Sequence, residues 1–108
     1  MSLEAKILFQ AEQSNVRQYV ENSSGDYVTV MVDGNVQVII KEVKQEKQSF
    51  DKIRMIAGEI ARELTNKNVT DAKVSLPKLQ KAFSSLDKRK VVTAFVEGWN
   101  LGTYHFDT

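Results

Sequence analysis

Cysteine is absent from the 108 residues and histidine occurs once, as His105, which together remove disulfides, thiol nucleophiles and Cys/His zinc sites. The metal chemistry left is that of carboxylates. Asp26, Asp33, Asp51, Asp71, Asp87 and Asp107 are scattered singly at expected turns, caps or the tail, so neither a paired acid/base site nor a cation cage is visible. A nucleophilic triad needs a firmly held base, and His105 stands in "TYHFDT", where a terminal segment is expected to fray. Charge of one sign is also lacking: fifteen basic side chains against fourteen acidic ones leave +1, too little to draw the chain to nucleic acid or an anionic membrane. No apolar run approaches the ~18 residues of a membrane span, and "MSLEAKILFQ" has no signal-peptide cleavage pattern, so a cytoplasmic location and no membrane partner are expected. Its five glycines are isolated from one another, which excludes the clustered loops that cradle phosphate.

What is present is the patterning of one ordinary globular domain, 42% hydrophobic and with no Gly/Ser/Pro linker to divide it. "AKILF" at 5–9 reads as a short strand, and "SNVRQYVE" at 14–21 has helical spacing behind Ser14. "YVTVMV" at 27–32 and "VQVIIKEV" at 36–43 are β-branched, alternating runs around "DGN", which reads as a hairpin with Gly34 at positive φ. After the solvated connector "KQEKQ", the period changes from two to 3.6. Phe50, Ile53, Ala57, Ile60 and Leu64, widened by Ile56 and Ala61, predict an amphipathic helix over 50–65, capped by Ser49 and stopping near Asn66 or Asn68. "DAKVSL" at 71–76 reads as a brief strand, and Pro77 suits the first turn of a short helix carrying Leu79, Ala82, Phe83 and Leu86. Asp87 should cap a last helix with Val92, Phe95, Val96, Trp99 and Phe106 broadly along one face. The expected class is α/β, a mixed sheet flanked by helices.

Two features invite a functional reading. Gly98 and Gly102 stand at i, i+4 inside the last helix, where each costs about 1 kcal/mol relative to alanine; close packing against the sheet or another helix explains them better than a membrane dimer motif, given the polar neighbours. Lys78, Lys81, Lys88, Arg89 and Lys90 form a basic cluster diluted by Asp87. A solvated face accounts for it better than nucleic-acid binding, because Phe83 is better explained as core than as a stacking platform.

The closing stretch "AFVEGWNLGTYHFDT" resembles the end of the N-terminal domain of the leucine (cytosol) aminopeptidases, at Glu97, Gly98, Leu101, Gly102, Tyr104, Phe106 and Asp107. Upstream, "VQVIIKEV" followed by "FDKIRMIAGEIARELTNKNVTDAKVSL" is similar to that family's strand, long helix and short strand. The family strand commonly runs into a Gly-Leu-Gly turn, whereas here Ile40, Lys41 and Glu42 follow, and the family domain is longer. The resemblance implies a macro-like three-layer sandwich with its first half pruned or rearranged, and residues 1–35 inherit nothing from it.

The resemblance further implies that residues 1–108 are a single non-catalytic N-terminal domain, holding no catalytic and no metal-binding residue. A two-metal catalytic peptidase domain, with its zinc or manganese ions, is expected after Thr108, and a homo-oligomer, typically a hexamer, is the family habit. Trp99, Leu101, Tyr104 and Phe106 are then the expected interdomain or interface contacts, Trp99 being equally suited to the core. A rival from another class is a free-standing macro-like module for ligand or protein binding, against which the lack of glycine-rich loops counts. A nucleic-acid binder using residues 78–90 ranks last.

Overall fold

The computed structural model describes residues 3–9 and 25–103. The helical pattern at 14–21 lies outside them. The fold is α/β, a 4-stranded sheet in the order β2-β3-β1-β4 with helices packed on it, where β1 is Leu3–Phe9, β2 is Tyr27–Val32, β3 is Asn35–Ile40 and β4 is Val69–Val74. The helices are α1 (Phe50–Asn66), α2 (Leu76–Ala82) and α3 (Lys88–Thr103), with a 3-10 turn at Gln45–Lys47.

The hairpin joins β2 to β3 antiparallel, with Val32 opposite Asn35. Asp33 and Gly34 take φ of 51° and 81°, the doubly left-handed turn whose twist matches that of the flanking strands. The strand expected over 36–43 is Asn35–Ile40, ending three residues earlier. Beyond it the backbone turns away to reach α1. β1 lies inside the sheet, parallel to β3 on one side and to β4 on the other.

Period-two alternation then decides which side chains meet. Ala5, Ile7 and Phe9 stand beside Val36, Val38 and Ile40 in register, and all six are buried on one face. All three helices join the core cluster through this face, supplying Ile53, Ile56 and Ile60 from α1, Leu79 from α2, and Val91 and Phe95 from α3. Each such side chain contributes roughly 1.5–3 kcal/mol when withdrawn from water. Ile39, which points to the opposite face, is also fully buried.

The helix boundaries follow from local chemistry. Ser49 Oγ accepts from the Lys52 amide at 3.1 Å, and Asp87 Oδ1 accepts from the Arg89 and Lys90 amides at 3.1 Å each. These two caps satisfy amides that have no partner within their helices. At the far end of α1, Asn68 with φ 60° reverses the chain into β4. Pro77 sits in the first turn of α2, behind Ser75 as cap.

α1 and α3 share the most extensive contact of any two elements, and glycine makes it close. A Cβ at Gly98 would stand 2.6 Å from the Cα of Arg54, and one at Gly102 would stand 2.8 Å from the carbonyl carbon of Gly58. A Cβ on Gly58 would in turn meet the Gly98 carbonyl oxygen at 3.1 Å. The helices therefore touch backbone to backbone. Elsewhere α1 is tied down by polar contacts with the start of the hairpin: Lys52 Nζ lies 2.8 Å from Asp26 Oδ1, and Thr29 Oγ1 donates to Glu63 Oε2. Tyr27 stands beside this seam, and burial, then Glu63, then Glu59 raise its phenol above the ordinary value.

Candidate docking surface

The buried stripe of α3 runs through Val91, Ala94, Phe95, Gly98 and Gly102. It is rotated from the expected stripe, because glycines carry no hydrophobic signal and yet mark the line of closest approach. The consequence is that Val92 and Trp99 are only half-buried and Val96 is exposed. These three lie on the flank of α3 that turns toward β4.

Between that flank and the sheet lies an apolar groove of about 200 Å³, lined by Ile7, Ala72 and Val74 below and by Leu76, Phe95, Val96 and Trp99 at its sides. The rings of Phe95 and Trp99 stack, with centroids 5.9 Å apart and planes 25° from parallel, so the core side chain holds the groove side chain in place. Leu76 and Val96 are 45% and 48% exposed at the rim. β4 borders the groove and, among the described residues, is the last strand of the sheet on that side. An open strand edge beside an apolar furrow can receive another protein surface both by packing and by main-chain hydrogen bonding.

Of the expected contact residues, the structure brings Trp99 into this groove. Leu101, 65% exposed, is two positions further along the helix, a rotation of about 200°, and so faces away from Trp99. It belongs to the flank of Glu97, whose carboxylate meets Arg54 Nε of α1 at 3.2 Å. Tyr104 and Phe106 lie outside the described residues. Sequence reasoning missed Leu76, which it assigned to the end of a strand; the leucine immediately before Pro77, displaced from the strand pattern, was the available signal.

Among the described residues, no three His, Cys, Asp or Glu side chains converge on a point that could hold a metal ion. No helix among the described residues is long and apolar enough to cross a membrane.

Residues 44–108 match the model of the N-terminal domain of the cytosol aminopeptidase family. The chain belongs to this family. The match takes in α1, β4, α2 and α3, and therefore both walls of the groove except Ile7. No curated protein and no solved structure matches the chain. Within the cytosol aminopeptidase domain, then, the matched half carries the glycine-lined helix crossing and the groove together, while β1 to β3 stand outside it.

Proposed function

We propose that this is a non-catalytic structural domain of a metal-dependent aminopeptidase that removes N-terminal residues from peptides. Its groove between α3 and β4 receives the catalytic domain of the same protein. The observation that carries this reading is the apolar furrow itself: Leu76 of α2 and Val96 of α3 are left in water at its rim while Val91, Ala94 and Phe95 of α3 are buried in the core. Zinc or manganese ions and the residues that hold them belong to the catalytic domain, and the domain described here helps shape the homo-oligomer, a hexamer.

Hydrogen exchange tests this directly, comparing the 108-residue chain alone with the same chain joined to its catalytic domain. The amides of Ala72, Val74, Leu76 and Val96 are expected to exchange at least about tenfold more slowly in the joined protein, because a covered edge opens less often. Unchanged exchange at all four positions overturns the docking reading. Metal-dependent hydrolysis of a leucine anilide by the isolated, rigorously purified chain overturns the non-catalytic one.

A further inference from the structure

At the other end of the sheet, the parallel strands β1 and β3 finish side by side, Phe9 opposite Ile40. β1 leads to β2 on the far side of β3, whereas β3 leads through α1 past β1 to β4. Parallel neighbours whose continuations diverge leave a crevice outside their carboxyl ends, and open α/β sheets bind ligands there. A depression of about 320 Å³ occupies this place. That volume lies at the lower end of the roughly 300–1,000 Å³ typical of small-molecule sites.

Its chemistry is two-sided. Phe9, Ile40 and Phe83 form an apolar floor continuous with the core. Among the described residues around them, Lys41, Lys44, Lys78 and Lys81 stand with one carboxylate, Glu42, in a chain whose overall charge is only +1. Lys44 and Lys81 form no ion pair with any described residue. The wall between the lysines is held by Gln48, whose amide nitrogen donates to the carbonyls of Val43 at 3.0 Å and Ala82 at 3.1 Å. Its oxygen accepts from the Ser85 amide at 3.3 Å and from the Ser85 hydroxyl. One half-buried side chain thus fixes the segment after β3 against the turn after α2, so the cations are carried on a braced rim. Lys78 and Lys81 are the part of the basic cluster that this rim takes up.

We infer that this mouth binds a small organic phosphate, its phosphoryl group among the lysines and an apolar or aromatic body over the floor. A phosphomonoester carries about −1.5 to −2 charge at neutral pH and suits several ammonium groups better than a single carboxylate does. The site shares no residue with the docking groove, so the two readings stand or fall separately.

Phenyl phosphate is the probe, titrated into the 108-residue chain by calorimetry and by amide chemical shifts. Saturable binding is expected, with shifts at Val43, Gln48 and Ser84. Binding should weaken about tenfold or more in the double variant Lys44→Ala/Lys81→Ala, through loss of two charge-assisted contacts. It should stay unchanged in Lys88→Ala/Lys90→Ala, which removes the same charge from the start of α3. All four side chains are exposed, so neither variant disturbs the core. Three results overturn the proposal: neither heat nor shift up to about 10 mM ligand, equal weakening in both double variants, or inorganic phosphate binding as tightly as phenyl phosphate. The last would mean that the apolar floor takes no part.

Discussion

The two flanks of α3 are both apolar, but they solve different problems. On the inner side, Val91, Ala94, Phe95, Gly98 and Gly102 bring the helix so close to α1 that backbone meets backbone. On the β4 side, Trp99 is half-covered and Val96 stays in water. Hydrophobicity alone does not separate these surfaces. What separates them is glycine: Gly98 and Gly102 mark where α1 already sits, whereas the flank with Val96 and Trp99 carries large apolar side chains and no glycine.

The comparison breaks most readily at Gly98. Alanine in a helix ordinarily gains about 1 kcal/mol over glycine, but here its Cβ would fall 2.6 Å from the Arg54 Cα, and only a shift of the whole helix relieves that. Gly98→Ala is expected to destabilise by about 3 kcal/mol or more through overpacking against backbone. Thermal unfolding should report a midpoint lowered by more than ~10 °C. An unchanged or raised midpoint would show that the crossing is looser than described.

The next contrast sharpens the same point with two valines one and a half turns apart. Val91 is fully buried and Val96 is 48% exposed. Val91→Ala should cost roughly 2 kcal/mol in denaturant unfolding, while Val96→Ser should stay within about 0.5 kcal/mol in the isolated chain. Equal losses would make the β4 flank part of the core rather than a surface held in reserve.

The smallest effect belongs to the polar side of α1. Because the phenol of Tyr27 is raised in the folded chain, the stability it contributes is fully present below its ordinary value of 10.0 and is lost as pH rises through the folded value. Urea midpoints measured across that alkaline range should fall more steeply in the parent than in Tyr27→Phe. Parallel curves would remove Tyr27 from the account.

Local signals carried most of the element assignments. Ser49 and Asp87 as caps, the Asp33–Gly34 turn and the stripe of α1 were readable because each is decided within a few residues of chain. The position of β1 between β3 and β4 was not readable, since parallel partners come from segments far apart in sequence and leave no turn signature between them. The rotation of α3 escaped for the reason given above: a hydrophobic pattern is blind to glycine. Trp99 was legible as a candidate contact, but its separation from Leu101 emerged only with the helix phase fixed. The lysine-rimmed mouth was hidden more completely. Its side chains come from the end of β1, the segment after β3 and the region around α2, and Lys44 had the look of an ordinary connector residue.

The central place of β1 also bears on what a family resemblance measures. The matched stretch begins at Lys44 and holds one strand, β4, whose described ladder neighbour is β1, encoded some sixty residues earlier and outside the match. Produced by itself, that stretch would carry one strand and three helices with three of the four strands of the sheet removed. The stretch that carries the kinship thus relies for its core on a strand that lies outside it, because Ala5, Ile7 and Phe9 of β1 are buried against the helices.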